Sequence, residues 1–208
     1  MAPAHGRALS RPRPSGGRST PRWPAEDSGG RLRTASATTS KEEGGACGGQ
    51  ITRPGIALYG GEAVNGIANP MKPVVTAETR IIQIRYAKAG ETISYGATQI
   101  LSRDTVIAVC GTGYADGIHR ASGQGVPLRR TSVPAASGWL SGHLVPVLGR
   151  VTMDFTMFDV TEVPQQVLDK AEWIELFGSH ISVDDAARAA GTIGYELLTS
   201  LGSRFHRR

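Results

Sequence analysis

An abrupt change of composition near Gln50 most constrains what this chain can fold into. Residues 1–50 contain nine Gly, five Pro and six Ser, and no Val, Ile, Phe or Tyr. Such a stretch cannot bury enough apolar surface to offset the entropy of ordering it, so it reads as a disordered, low-complexity extension. The folded part must then come from residues 51–208. The same break sorts the charge. Of a formal net charge of +5, residues 1–50 carry eight Lys/Arg against four Asp/Glu, and residues 51–208 carry fifteen against fourteen. A nearly neutral folded part has no excess of cations to neutralise phosphate backbones, so nucleic acid is not an expected partner.

No run approaches the ~18 apolar residues of a membrane span, so no membrane partner is expected. No apolar stretch follows the N-terminal positive charges as a secretory signal requires. Residues 1–40 are rich in Arg and Ser, but five prolines precede Ala25 and no amphipathic period appears, which argues against a transit peptide. Cys47 and Cys110 fit no zinc spacing, and no metal site is expected. They read as free thiols in a reducing compartment, which implies a cytoplasmic protein.

From Ile51 the apolar pattern is that of strands. Residues 54–60 read as a short strand entering a loop at 61–73. Residues 74–86 read as a long strand, in which Ile82, Ile84 and Tyr86 alternate with Gln83 and Arg85 as on a half-buried surface. A turn at 89–91 leads to 92–95, and 105–110 is a β-branched run of buried character. Residues 117–142 are rich in Gly, Ser and Pro and read as a long loop or irregular hairpin. Residues 144–148, 155–160 and 173–177 are further strands. A helix should start after Ser182, where Asp185 stands three residues on as in a capping box, and Gly191 can stop it. A second short helix covers 195–201. The fold class is therefore mainly β and mostly antiparallel, with short helices at the C-terminal end.

Tyr114 stands out at the end of the 105–110 strand, inside Gly113-Tyr114-Ala115-Asp116-Gly117. A tyrosine between glycines is badly placed to fill a core. It is either a surface residue on a turn or a phenol on a rim that a ligand can reach. Taken singly, Met153 reads as core filler, Arg53 as a surface arginine before a proline and Tyr195 as an ordinary helical tyrosine.

Four motifs stand in order: Arg53-Pro54-Gly55-Ile56, the Tyr114 pentapeptide, Gly149-Arg150-Val151-Thr152-Met153-Asp154, and Thr192-Ile193-Gly194-Tyr195-Glu196. In this order and spacing the chain, over about residues 51–205, resembles the C-terminal half of alanine racemase. The resemblance implies a homodimeric enzyme that uses pyridoxal 5'-phosphate to interconvert L- and D-alanine and supplies D-alanine to the cell wall. Racemisation needs an acid–base group on each face of the Cα, and the cofactor is the electron sink. By resemblance Tyr114 is one base, working in the partner subunit's site. An ordinary phenol with a pKa near ~10 is a poor base at neutrality, so its site has to favour the phenolate. The Met153 amide matches a contact to the substrate carboxylate, and Asp154 orients neighbouring groups. Arg53 matches the arginine facing the cofactor's pyridine nitrogen, which it leaves largely unprotonated because guanidinium keeps its own proton. Gly55 and Ile56 match backbone donors to the phosphate, and Tyr195 matches a phosphate-binding hydroxyl. Arg150 and Ile193 match residues near the substrate entrance. Thr152 stands where the family often has Cys or Ser.

The other base of the family is a Schiff-base lysine in an N-terminal (β/α)8 barrel. None of Lys41, Lys72, Lys88 and Lys170 lies in a matching motif, and the family's Asn-Ser phosphate dipeptide is absent too. Such a barrel takes about 250 residues. The expected organisation is an extension at 1–50, the last strand of a barrel at 51–73 and the β domain at 74–208. On this reading the chain is a truncated racemase, inactive alone. The other readings are a non-catalytic β-barrel remnant and a binding module with a basic disordered tail.

Overall fold

The apolar runs at 74–86, 105–110 and 173–177 all become strands, and they lie side by side. The computed structural model describes residues 6–10, 34–35, 51–52, 55–63, 68–123 and 136–207. In chain order the strands are β1 (Gly6–Ser10), β2 (Thr34–Ala35), β3 (Ile51–Thr52), β4 (Val75–Ala87), β5 (Thr92–Ile93), β6 (Gln99–Ile100), β7 (Thr105–Cys110), β8 (Ser137–Leu140), β9 (His143–Pro146), β10 (Thr156–Asp159), β11 (Trp173–Phe177) and β12 (Phe205–Arg207). The α-helices are α1 (Gln165–Leu168), α2 (Val183–Ala189) and α3 (Gly194–Ser200). None of the described helices is long and apolar enough to cross a membrane.

The main sheet runs β10-β7-β4-β11-β8-β9, with antiparallel neighbours throughout. Its two ends meet: Val147 bridges Phe158, and the Leu148 N–H donates to the Met157 carbonyl at 2.7 Å. The sheet therefore curls on itself and encloses Phe158, Ala108, Cys110, Val145, Leu140 and Ile174. Burial pushes the Cys110 thiol pKa well up, so this sulfur is inert filler. Buried hydroxyls are paired: Thr79 Oγ1 donates to Thr112 Oγ1 and Thr156 Oγ1 donates to the Thr112 carbonyl, both at 2.7 Å. Val183, Ala187 and Leu197 carry α2 and α3 onto this core.

Three readings need correcting. Residues 56–59 form a 3-10 turn, not a strand; Ile56 is buried, Leu58 and Tyr59 are exposed, and Gly60 ends the turn at φ 86°. In β4 a bulge between Ile81 and Gln83 shifts the pairing with β7. The extra residue moves the inward positions to Ile81 and Ile84, and leaves Ile82 and Tyr86 exposed. Within the expected loop at 117–142, residues 137–140 are β8, hairpinned onto β9.

Most of the segment expected to be disordered lies outside the described residues. Within it, Gly6–Ser10 add β1 to β4 antiparallel and to β12 in parallel. Strand addition satisfies backbone groups and needs no apolar side chains, which composition alone does not register.

The helix start at Ser182 forms as expected. Its Oγ accepts from the Asp185 N–H at 3.0 Å and donates to Asp185 Oδ2 at 2.6 Å. That hydroxyl, with Arg188, holds the Asp185 carboxyl below its usual pKa. Ser182→Ala is expected to cost about 1 kcal/mol in denaturant unfolding at neutral pH. Because the folded pKa is depressed, the stability linked to Asp185 is present above the unfolded carboxylate value and fades as pH falls through the lower folded one. The gap between Ser182→Ala and the parent should narrow over that window. Phe158→Ala, at the centre of the core, is expected to cost ~3–5 kcal/mol in the same assay.

Candidate functional site

Tyr114 is placed by backbone rather than by side-chain packing. β7 ends at Cys110, and a 3-10 turn at Tyr114–Asp116 closes on Gly117, whose φ of 99° is left-handed. The Asp116 carboxylate accepts from the Gly113 N–H at 2.9 Å inside the turn. Beside it runs the loop after Gly149. Tyr114 N–H donates to the Thr152 carbonyl at 2.9 Å, and Ala115 N–H to the Met153 carbonyl at 3.0 Å. The two loops are thus zipped by main chain, and so closely that a Cβ on Gly113 would lie 2.3 Å from the Thr152 oxygen. Glycine is required there for proximity.

The zip leaves the side chains free. Tyr114 is 44% exposed and Met153 50%, so Met153 is no core filler. Thr152 shapes its loop: its hydroxyl donates to the Phe155 carbonyl at 3.0 Å and accepts from the Phe155 N–H at 3.1 Å. Among the described residues no group accepts from the Met153 N–H. A solvent-facing phenol and an unclaimed amide on adjacent loops can grip a small molecule from two sides. Asp154, next in the loop, accepts from Arg204 Nη1 at 3.0 Å. Arg204 also holds Asp116, and no motif in the sequence marks it.

The residues expected to hold a phosphate gather separately. Arg53 lies outside the described residues. Gly55 opens the 3-10 turn whose first full residue is Ile56, so both amides are at a helix start, where N–H groups lack acceptors within the helix. A Cβ on Gly55 would stand 3.1 Å from the Tyr195 hydroxyl, so that hydroxyl overhangs the Gly55 backbone. Two amides and a phenol O–H are a donor set that suits a phosphate. The segment is docked from below: Ile56 is buried against Gly194, Glu62 N–H donates to Asp184 Oδ2 at 2.7 Å, and Arg188 pairs with Glu62 at 3.0 Å. Ile193 precedes α3 and is exposed.

Arg150, earlier in the Met153 loop, donates its N–H to Ser94 Oγ at 2.9 Å, and among the described residues its buried Nε has no acceptor. Ser94 is itself strained, at φ 66°. The structure therefore brings Tyr114, Met153 and Asp154 together, and Gly55, Ile56 and Tyr195 together. No hydrogen bond among the described residues joins the two groups.

Gly117 tests how tightly the Tyr114 turn is held. A Cβ there would lie 2.0 Å from the Ser200 carbonyl oxygen, whereas Gly142, also at φ 99°, has open space around it. Both alanine variants carry left-handed strain, and only Gly117→Ala adds a collision. In denaturant unfolding Gly117→Ala should lose more than about 1 kcal/mol and exceed Gly142→Ala.

Residues 74–208 match the family model described as alanine racemase, C-terminal domain. The biosynthetic alanine racemase of Agrobacterium fabrum is 58% identical over 158 residues, which make up 76% of this chain and 40% of that protein. The alanine racemase of Rhizobium meliloti is also 58% identical, over 76% of this chain and 42% of its own length. The biosynthetic alanine racemase structure from Pseudomonas aeruginosa superposes with a TM-score of 0.63 at 34% identity, over 76% of this chain and 41% of that one. The Bartonella henselae enzyme, solved with covalently bound pyridoxal phosphate, gives 0.62 at 31% identity over the same shares. The chain thus spans about two fifths of the length of the curated relatives it matches. The match over 74–208 and identities of this size place the chain in the alanine racemase family, through its C-terminal domain.

Proposed function

We propose that this chain supplies one half of an alanine racemase site: the second base and the anchor for the substrate carboxylate. The observation that carries the reading is the main-chain zip between the Tyr114 turn and the Met153 loop. It sets a phenol and a free amide side by side without spending either on the fold. In this role Tyr114 Oη takes the Cα proton of alanine on one face and returns it for the reverse reaction. The Met153 N–H holds the carboxylate, and Asp154 orients its surroundings. Gly55 and Ile56 amides with the Tyr195 hydroxyl hold the phosphate of pyridoxal 5'-phosphate, and Arg53 faces its pyridine nitrogen. When bound, that cofactor supplies the electron sink that makes the Cα proton removable. Arg150 and Ile193 border the substrate entrance.

The site is completed across a homodimer, so that Tyr114 of one subunit serves the cofactor of the other. The product is D-alanine for cell-wall synthesis, made in the cytoplasm. Residues 74–208, with β1 added to their sheet, form the working β domain, and 51–73 belong to the barrel side. The opposite-face base must be a lysine from a barrel, since no lysine here sits in the family's motif.

The reading is tested by following net conversion of L-alanine to D-alanine with added cofactor, because inversion needs both bases whereas Cα exchange needs only one. The chain alone should give no D-alanine and no covalent cofactor adduct in mass spectrometry after borohydride reduction. Mixed with a barrel-bearing alanine racemase whose own second-base tyrosine has been replaced, it should restore racemisation. Tyr114→Phe should then lower the restored rate ~10²–10⁴-fold. Full racemisation with Tyr114→Phe would sink the assignment of the base, and activity of the chain alone would sink the need for a separate barrel.

A further inference from the structure

We infer that Arg204 is a positioning residue that clamps the Tyr114 turn to the Met153 loop and so sets the spacing between the phenol and the Met153 amide. The functional meaning of that spacing rests on the racemase reading; the clamp itself rests on geometry. Asp116 is 1% exposed, and a carboxylate so buried is costly unless paired and fully hydrogen-bonded. It is satisfied on both oxygens. Oδ2 accepts from the Gly113 N–H at 2.9 Å and from Arg204 Nη2 at 2.8 Å, and Oδ1 accepts from Arg204 Nε. This is a side-on, two-bond grip that only a guanidinium can make. The third nitrogen, Nη1, is left to reach Asp154 Oδ1 at 3.0 Å. One planar cation therefore holds both loops, in addition to their main-chain zip.

The tail that carries Arg204 is itself pinned to the same turn. Gly202 N–H donates to the Asp116 carbonyl at 2.9 Å, and the Ser200 carbonyl fills the space above Gly117. This tail is the direct continuation of α3, which opens at Gly194-Tyr195. The hydroxyl that overhangs Gly55 and the turn that presents Tyr114 are thus attached to the two ends of one seven-residue helix. Since misplacing a reacting group by about 1 Å can cost ~10²-fold in rate, a rigid cation at this junction determines whether base and anchor stand in register.

Amide hydrogen exchange, read by NMR on the full chain labelled with 15N and without cofactor or substrate, tests the clamp. Arg204→Lys keeps a cation but cannot span two carboxylates. It should speed exchange at the Tyr114 and Ala115 amides about tenfold or more, while the Ala108 and Phe158 amides in the core change less. A purely structural role would speed all four by the same factor; that outcome, or unchanged exchange at Tyr114 and Ala115, overturns the inference. If Arg204→Lys does not fold, Asp154→Ala decides, because it removes one arm and leaves the buried Asp116 pair intact. It too should speed Tyr114 and Ala115 selectively, and parental exchange there overturns the clamp. Neither readout depends on racemisation, so a failed clamp and a failed racemase assignment give different results.

Discussion

The main sheet takes its register from β4. This strand of thirteen residues pairs with β1 and β11 through its first half and with β7 through its second. A strand shared in this way must twist, and the bulge between Ile81 and Gln83 is where it does so. The bulge directs Ile81 and Ile84 at the core and turns Ile82 and Tyr86 outward. It also sets the height at which β7 ends, and with it where the chain turns at Gly113. The placement of Tyr114 is therefore tied to the strand pairing at the end of β7, where Ile81 pairs with Cys110 and the Gly111 N–H donates to the Arg80 carbonyl.

A site made of exposed side chains needs another source of order, and here the main chain provides it. Gly113 admits the Thr152 and Met153 carbonyls, Gly117 admits the Ser200 carbonyl, and the buried Asp116 carboxylate gathers the turn around Arg204. On the other side Gly55 admits the Tyr195 hydroxyl. At Gly113 and Gly117 the close approach is backbone against backbone. Among the described residues no hydrogen bond engages the Tyr114 hydroxyl, the Tyr195 hydroxyl or the Met153 amide.

The family motifs were legible because they combine residues rarely found together for packing reasons alone, such as tyrosine between glycines. The strands at 105–110 and 173–177 were legible from β-branched and apolar runs. Other features were hidden for identifiable reasons. Strand β8 carries Gly138, which lies against Ile174 and Phe158, so its sequence resembles a loop although its glycine is there for close packing. Period-two alternation in β4 was misleading because a bulge shifts the face without changing the residues. Arg204 was invisible because an isolated arginine near a chain end has no local pattern; only the fold brings it to two carboxylates far away in the chain.

The sequence by itself determined the family and the β class of residues 74–208, and it singled out the groups proposed to do chemistry. Those depend on residue types and short spacings, which the linear chain carries in full. The tertiary structure alone decided which of these groups stand together: Tyr114 with Met153 and Asp154 through the clamp, Gly55 with Tyr195 across a separate junction. Such neighbours are set by long-range pairing and by the burial of a single charge. Both are properties of the packed chain, and no local stretch of residues encodes them.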